Sequence, residues 1–207
     1  MKTIAVTGGI GSGKSAFCSI LSARGIPVYD CDSAAKRLYS EDASLLDSIE
    51  EAFGCSVRHG DGSFDKARLA SLIFTSRDNL RTLEAIVHPA VLADFIRWKS
   101  GREAKLADGY DPEIFFGKEP FVVMESAIIL SKPDYLEHVD RVILVDAGLQ
   151  VRLRRACERD GVSPEKVIER MAFQHFDVSK VDRIVRNEGT LEDLRDSLPE
   201  VFSEISL

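Results

Sequence analysis

The apolar positions of this chain form short runs that alternate with longer segments of helical spacing. The short runs, bounded by turn residues or charges, predict five buried strands: Thr3–Val6, Ile26–Tyr29, Phe121–Met124, Val142–Val145 and Ile184–Val185. Because helical segments separate these runs, we expect a parallel sheet with both faces covered. The predicted fold class is α/β, a three-layer sandwich around a five-stranded parallel sheet.

Residues 33–100 have mostly helical spacing, which predicts a helical domain on one side of the sheet. The apolar positions that define these helices are Leu69, Leu72 and Ile73, then Leu80, Leu83, Ile86 and Val87. The polar segment 101–120, with its scattered glycines and prolines, predicts a long surface loop. Near the end of the chain, Thr190 and Asp193 have the spacing of a capping box that opens the last helix.

A glycine-rich segment, Gly8–Ser15, follows the first predicted strand and satisfies the pattern GxxxxGK[ST]. We call it the phosphate loop. Its glycines let consecutive backbone N–H groups face a phosphate, and the helix predicted from Lys14 adds its positive end. Lys14 is expected to reach the β- and γ-phosphates, and Ser15 to place its hydroxyl on Mg²⁺. The alternative, a glycine-rich turn without a ligand, is disfavoured by the flanking strand and helix. The predicted nucleoside triphosphate site comprises Gly9, Ile10, Gly11, Ser12, Gly13, Lys14 and Ser15.

Two carboxylates follow the second predicted strand, in the order Asp30-Cys31-Asp32. Alternation along an extended segment would point both to one side, at the sheet edge where ligands of parallel sheets bind. Phosphoryl transfer to a hydroxyl needs a carboxylate that orients the hydroxyl and accepts its proton. We assign this role to Asp32, with a direct or water-bridged contact to Mg²⁺. The alternative is that Asp32 caps the helix that follows.

Composition and charge exclude several classes of protein. The 207 residues are 44% hydrophobic and 29% charged, which is typical of a soluble globular protein. The net charge of −7 argues against nucleic-acid binding, and no apolar run approaches the roughly 20 residues that span a bilayer. The four cysteines form no CxxC pair, so neither a disulfide framework nor a zinc site is expected. We expect a cytoplasmic protein that needs no obligate protein partner.

Several motifs resemble the dephospho-CoA kinase family in order and spacing. They are the phosphate loop, Asp30-x-Asp32, Asp61-Gly62 with Ile73-Phe74, Leu83–Pro89, Arg155-x-x-x-Arg159-Asp160 with Gln174, and Asp182–Gly189. The resemblance runs from Thr3 to about Leu194. Many families share the phosphate loop, whereas His88-Pro89 and Asn187-x-Gly189 are much more specific.

The resemblance implies a P-loop kinase that transfers the γ-phosphoryl group of ATP to the ribose 3′-hydroxyl of dephospho-CoA, giving CoA and ADP. It also implies three parts. These are a nucleotide-binding core of residues 1–32, 121–148 and 182–207, a helical CoA-side domain of residues 33–120 that includes the loop 101–120, and a lid of residues 149–181.

The resemblance further implies roles for individual residues. These are Asp32, Lys14 and Arg155 in catalysis; Arg155, Arg159, Asn187 and Gly189 in ATP binding, with the last two near the adenine; and Asp32, Lys36, His88 and Pro89 on the substrate side. His88 before Pro89 could instead end a helix, because a residue that precedes proline resists the helical conformation. Arg152 and Arg154 are interpreted as surface charge.

Two departures from the family pattern stand out. The family's Pro-Leu-Leu-x-Glu run after the third strand reads Ala127–Ser131 here, so the proline and the terminal glutamate are missing. Glu125 lies a few residues earlier. A family arginine after the paired aspartates is replaced by Lys36, which keeps the charge but loses the bidentate fork.

Three other functions remain open on the sequence alone. One is another small-molecule or nucleoside monophosphate kinase of the same architecture. A second is a regulatory NTPase, although the chain lacks the Asn-Lys-x-Asp motif that typically selects the base in such proteins. A third is a CoA-binding module that has lost activity, against which the intact Lys14, Ser15 and Asp32 count.

Overall fold

The computed structural model describes residues 1–74, 76–108, 111–172, 174 and 176–205, and for residues 104–108 it describes the helical backbone only. The chain divides into two compact units, one formed by Met1–Asp30 with Arg102–Leu207 and the other by Cys31–Gly101. The first boundary follows directly on a strand, and the second falls within a helix.

The described part of the first unit contains one sheet of five parallel strands, which confirms the predicted sheet. The strands are β1 (Lys2–Gly8), β2 (Val28–Asp30), β3 (Phe121–Glu125), β4 (Arg141–Asp146) and β5 (Arg183–Arg186). Their order is β2-β3-β1-β4-β5, so β1 is the central strand. In register, Val6 pairs with Glu125 on one side and with Ile143 on the other. The predicted strands are all present, although β2 begins two residues later than expected.

Both faces of the sheet are covered, because every residue of β3 and all but the first residue of β1 are buried. One face packs against α1 (Lys14–Ala23), α9 (Leu191–Asp196) and α10 (Leu198–Ser203). The predicted stripe of α1 is largely correct, since Phe17 and Leu21 are fully buried and Ile20 packs against the same core. This packing fixes the amino end of α1 beneath the phosphate loop.

The predicted capping box is confirmed, but it does not open the last helix. Thr190 accepts a hydrogen bond from the backbone N–H of Asp193, and the Asp193 carboxylate accepts one from the backbone N–H of Thr190. The helix they cap is α9, and α10 follows it after Ser197. Three further helices of the first unit are α6 (Pro133–Leu136), α7 (Leu149–Asp160) and α8 (Pro164–Met171).

The second unit is helical, as its apolar spacing predicted. It contains α2 (Cys31–Glu41), α3 (Ala43–Phe53), α4 (Lys66–Ile73) and most of α5 (Arg77–Asp108). Within it, Tyr39 stacks on Phe64 at 4.7 Å between ring centroids. Arg58 pairs with both Asp47 and Glu50, which ties the loop after α3 back to that helix.

The alternative that a helix ends at His88 is wrong, because α5 continues through Pro89. An internal proline costs a helix about 3 kcal/mol. One stripe of α5 offsets this cost by burial, at about 1.5–3 kcal/mol for each large apolar side chain. The stripe is Leu83, Val87, Val91 and Phe95, all at most 6% exposed.

The expectation of a surface loop over 101–120 is wrong for its first part, because α5 runs on to Asp108. Residues 102–107 are mostly strong helix formers, and a single internal glycine such as Gly101 costs only about 1 kcal/mol. Gly109 and Tyr110 lie outside the described residues. Residues 111–120 contain turns and group with the first unit rather than with the helical one. No helix in the described parts of the chain has both the length and the apolarity needed to cross a bilayer.

Candidate active site

The phosphate loop connects the central strand to α1, as predicted. Gly11 and Gly13 have φ values of +76° and +92°, in the left-handed region that favours glycine. The loop closes on itself through the Ser12 N–H, which donates to the carbonyl oxygen of Gly9 at 3.0 Å. The first helical hydrogen bond then runs from the Phe17 N–H to the Gly13 carbonyl. The backbone N–H groups of the loop therefore precede a helix amino end, which is the arrangement that binds phosphates.

Lys14 and Ser15 both contact Glu125, at the end of β3. Lys14 Nζ lies 2.5 Å from Glu125 Oε1, and Ser15 Oγ donates to the same oxygen at 2.6 Å. The side chains of Lys14 and Glu125 are 11% and 6% exposed, so this ion pair is mostly removed from solvent. Glu125 is therefore a carboxylate next to Lys14 and Ser15, the last two residues of the phosphate loop.

Asn187 connects the loop after β5 to the phosphate loop. Its side-chain Nδ2 donates to the carbonyl oxygen of Ser12 at 2.9 Å, and the residue is only 5% exposed. Its backbone N–H donates to the carbonyl of Asp146, at the end of β4. A Cβ atom at Gly13 would stand 2.0 Å from Asn187 Nδ2, so this contact requires glycine there.

The two arginines of α7 expected at ATP lie in different surroundings. Arg155 donates to the carbonyl oxygens of Asn187 and Gly189, at 2.8 and 2.9 Å, so three of the predicted ATP-binding residues lie together. Arg159 donates to both carboxylate oxygens of Asp160 and is 60% exposed.

Ile10, at the tip of the phosphate loop, is held by two side chains from outside the loop. Its backbone N–H donates to Gln174 Oε1 at 2.8 Å, and its carbonyl accepts a hydrogen bond from Arg152 Nε at 3.0 Å. Neither contact is visible in the sequence, since the partners are more than a hundred residues away. In the sequence, Gln174 stands out only as part of a motif, and the position of Arg152 indicates only surface charge.

The carboxylates at the strand ends have different partners. Asp30, the last residue of β2, pairs in register with Glu125. Asp146, the last residue of β4, accepts a hydrogen bond from Arg186 at 2.5 Å. Glu125 is thus a strand-end carboxylate that contacts the phosphate loop, through Lys14 and Ser15.

Asp32 lies in the first turn of α2, in the second unit, together with Lys36 further along the same helix. Because α2 begins at Cys31, the expected extended geometry of Asp30-Cys31-Asp32 is wrong. The same start places Asp32 inside the helix rather than at the capping position before it, so the capping alternative is also wrong. His88 and Pro89 lie within α5 of this unit.

The altered segment after β3 forms a short 3₁₀ helix, Ile129–Ser131, in which Ile129 and Leu130 are buried. It lacks the acidic residue of the family pattern.

Glu125 also affects the environment of Cys18 on α1: burial, and then the nearby Glu125 carboxylate, raise the pKa of this thiol well above its ordinary value.

The oxygen atoms near the phosphate loop fit a nucleotide-bound Mg²⁺. Among the described residues, no group of three or more His, Cys, Asp or Glu side chains could hold a metal ion by itself. Mg²⁺ that accompanies a nucleotide takes most of its ligands from phosphates and water, and one or two from the protein. Ser15 Oγ, with Glu125 at 2.6 Å, provides hard oxygen donors of this kind.

The family model and the sequence relatives agree on one family. A family model described as dephospho-CoA kinase matches residues 2–193. A dephospho-CoA kinase of Porphyromonas gingivalis is 38% identical over 86% of this chain and 80% of its own. One of Burkholderia lata is 32% identical over 93% of this chain and 90% of its own. A crystal structure of a Thermus thermophilus protein superposes with a TM-score of 0.73 at 30% identity, over 99% of this chain and 98% of the other.

The family match covers nearly the whole chain, and it includes the phosphate loop, the Asp30-x-Asp32 pair and the segment around Asn187 whose contacts are described above. The chain therefore belongs to the dephospho-CoA kinase family.

Proposed function

We propose that this protein transfers the γ-phosphoryl group of ATP to the ribose 3′-hydroxyl of dephospho-CoA, giving CoA and ADP. The observation that carries the proposal is a complete phosphate loop, with Lys14 and Ser15 at the start of α1, in a chain that matches the family from residue 2 to 193. In the reaction, a bond forms between the 3′-oxygen and the γ-phosphorus, and the bond from that phosphorus to the β–γ bridging oxygen breaks.

ATP is bound by the phosphate loop and by the residues around it. Backbone N–H groups of Gly9 to Gly13 face the phosphates, and Lys14 places its charge on the β- and γ-phosphates. To do so, Lys14 has to leave or share the Glu125 carboxylate that it contacts at 2.5 Å. The Ile10 N–H likewise has to leave Gln174 if it is to donate to a phosphate.

The adenine side of the ATP site is proposed at Asn187 and Gly189. Support comes from Arg155, whose guanidinium holds the carbonyl groups of both residues and thus fixes this segment beside the phosphate loop. Arg155 and Arg159 belong to the proposed lid, residues 149–181. A lid that excludes water suits a kinase, because water is the competing acceptor.

Asp32 is the proposed general base. Its carboxylate would orient the 3′-hydroxyl and accept its proton as the 3′-oxygen attacks. This role rests on the family resemblance and on the position of Asp32 two residues beyond the end of β2. Lys36, His88 and Pro89 are proposed on the substrate side, within the helical CoA-side domain.

Mg²⁺ is the proposed cofactor, with Ser15 and Asp32 as its protein contacts. The ion would neutralise charge on the β- and γ-phosphates. The Ser15 hydroxyl fits this role because it lies at the start of α1, next to the phosphate loop. Among the described residues, the hydrogen-bond partner of its Oγ is another oxygen, Glu125 Oε1. The cytoplasmic location and the absence of a required protein partner remain predictions.

The proposal is tested by measuring ADP formation from MgATP with dephospho-CoA, adenosine, AMP or shikimate as acceptor. ADP formed only with dephospho-CoA, together with CoA, is the expected result. ADP formed with another acceptor, or with none, would contradict the assignment and favour another small-molecule kinase or an NTPase.

Two variants test the residue roles in the same assay. Lys14→Ala and Asp32→Asn are each expected to lower kcat by at least about a hundredfold. Asp78→Asn is the matched control for Asp32→Asn, since Asp78 also lies in the first turn of a helix and is 87% exposed. Near-normal turnover by Asp32→Asn would remove its assignment as the base.

A further inference from the structure

The two α7 arginines assigned to ATP phosphates by the resemblance both donate to protein acceptors. Arg155 holds the carbonyl oxygens of Asn187 and Gly189. Arg159 holds both carboxylate oxygens of Asp160, at 2.7 and 3.0 Å. A phosphate that binds either guanidinium has to share it with these acceptors or take it from them.

Arg152, on the same helix, lies on the phosphate loop. Its Nε donates to the Ile10 carbonyl at 3.0 Å. Its guanidinium covers Gly9, because a Cβ atom there would stand 2.2 Å from Nη2 and 2.7 Å from Cζ. Its backbone meets Gly11, where a Cβ atom would stand 2.1 Å from the Arg152 carbonyl oxygen. Helix α7 and the phosphate loop are therefore in direct contact at this arginine.

The terminal nitrogens of Arg152 have no acceptor within the part of the chain that the structure describes. The hydrogen bond to Ile10 uses Nε, and no described Asp or Glu forms an ion pair with this side chain. A guanidinium carries five N–H donors, so those on Nη1 and Nη2 remain available. A partly buried guanidinium with available donors beside a phosphate loop is suited to bind a phosphate, whose geometry it matches.

The place of Arg152 along the loop indicates which phosphate it meets. Lys14 and the amino end of α1 lie at the C-terminal limb of the loop, where helix N–H groups hold the β-phosphate. Gly9 lies on the opposite limb, directly after β1. A cation over Gly9 therefore faces the γ-phosphate, which is the neighbour of the β-phosphate on the outer side of the loop.

We propose that Arg152 binds the terminal phosphoryl group of ATP, the group that is transferred. The inference rests on the proposed function and adds to it a side chain that distinguishes a nucleoside triphosphate from the diphosphate product. Arg152 then strengthens the binding of ATP but not of ADP, which favours product release after transfer.

Isothermal titration calorimetry with MgADP and with the non-hydrolysable triphosphate AMP-PNP in Mg²⁺ tests this inference. In Arg152→Gln, the Kd for AMP-PNP is expected to rise at least about tenfold, the scale of one charge-assisted contact, while the Kd for ADP changes less than about threefold. Arg154→Gln is the matched control, since Arg154 is the exposed neighbour on the same helix, and both Kd values should stay at those of the wild type.

An equal loss for both nucleotides would show that Arg152 only braces the loop, and no loss for either would show that it is surface charge. Each result contradicts the inference. If Arg152→Gln does not fold, Arg152→Lys is measured in the same way. It keeps the charge but not the planar fork, and a selective loss for AMP-PNP is again expected.

Gly9→Ala provides an independent test, because the added methyl group displaces the guanidinium, which is the flexible end of a side chain. The same selective loss of AMP-PNP affinity is expected. The double variant Gly9→Ala/Arg152→Gln should lose no more AMP-PNP affinity than the single variant with the larger loss, since both substitutions remove the same contact. Additive losses would contradict the inference.

CoA formation, measured in parallel, separates this inference from the proposed function. Absence of CoA formation in a wild-type protein whose triphosphate preference depends on Arg152 contradicts only the proposed function. Normal CoA formation with a triphosphate preference that is independent of Arg152 contradicts only the inference.

Discussion

Lys14 Nζ and Glu125 Oε1 are 2.5 Å apart and almost completely shielded from water. Removing one partner of a buried ion pair leaves the other charge uncompensated and typically costs about 3–5 kcal/mol. Glu125 also accepts a hydrogen bond from the Ser15 hydroxyl, so its loss affects Lys14 and Ser15 together.

Glu125→Gln is therefore expected to lower the Tm of the protein, measured without nucleotide, by roughly 6–20 °C. Adding Lys14→Met should recover part of this loss, because it removes the uncompensated charge. Glu41→Gln is the control: it breaks an exposed pair with Arg37 and should change stability by less than about 1 kcal/mol. An unchanged Tm in Glu125→Gln would show that the pair contributes nothing to stability.

Gly13→Ala is expected to lower ATP affinity by at least about tenfold. The φ of +92° strains any other residue, and the new methyl group would collide with Asn187 Nδ2 and displace the Ser12–Asn187 hydrogen bond. Gly101→Ala should bind ATP normally, since among the described residues no atom outside the local helix backbone lies within 4 Å of the added Cβ. Equal Kd values for the two variants would argue against a structural requirement for glycine at 13.

Arg155→Lys is expected to lower kcat/KM for ATP by about tenfold, less than the loss in Lys14→Ala. A lysine cannot span the two carbonyl groups of Asn187 and Gly189 that the guanidinium holds together. Steady-state kinetics with varied ATP measure this, with Arg154→Lys as the control. Unchanged kinetic constants would make Arg155 a surface charge.

Asp160 should make a contribution to the free energy of unfolding that depends on pH. Hydrogen bonds from Arg159 and then Arg170 hold the pKa of its carboxyl well below the ordinary value. A carboxyl with a lowered folded-state pKa stabilises the fold above its unfolded pKa of about 3.9, and this contribution is lost as the pH falls towards the folded-state pKa.

The difference in Tm between wild type and Asp160→Asn should therefore be largest near pH 7 and shrink below about pH 4. Thermal denaturation at several pH values measures it. Asp78→Asn, at a highly exposed carboxyl, should show a smaller difference across the range. A Tm difference for Asp160→Asn that does not change with pH would contradict the linkage.

Thiol labelling should distinguish the four cysteines, none of which forms a disulfide. Cys18 is expected to react slowly with iodoacetamide at pH 8, because it is buried and because burial and Glu125 raise its pKa. Cys55 and Cys157, which are partly exposed, should react first, and mass spectrometry of digested protein reads out the order. In guanidinium chloride all four should react alike; fast labelling of native Cys18 would contradict the packing around it.

The features that sequence predicted best are local in the chain. The strand–loop–helix unit from Thr3 to Leu21 follows from neighbouring residues, since glycine conformations and helix starts depend on a few adjacent positions. The alternative of a helix end at His88, which rests on local preference alone, is wrong, because burial of the stripe around Pro89 outweighs the proline's own preference.

The parts that sequence did not predict are contacts between distant segments. Glu125 meets Lys14 only because β3 and β1 are neighbours in register, and residue spacing does not give strand order. Arg152 differs from Arg154 only in which side of α7 it occupies relative to the phosphate loop. A charged residue near other charges in sequence is usually solvated, so this contact had no local signal.

The central position of β1 has a consequence for how the protein opens. Its amides are enclosed by β3 and β4, and its side chains are buried on both faces. Edge strands exchange their amide protons through small, local fluctuations, whereas a central strand exchanges only when the whole domain unfolds. Because the phosphate loop is the direct continuation of β1, its anchor should be among the last segments to take up deuterium. Local opening of the edge strands β2 or β5 then leaves the strand below the phosphate loop folded, so the phosphate loop keeps its conformation during these fluctuations.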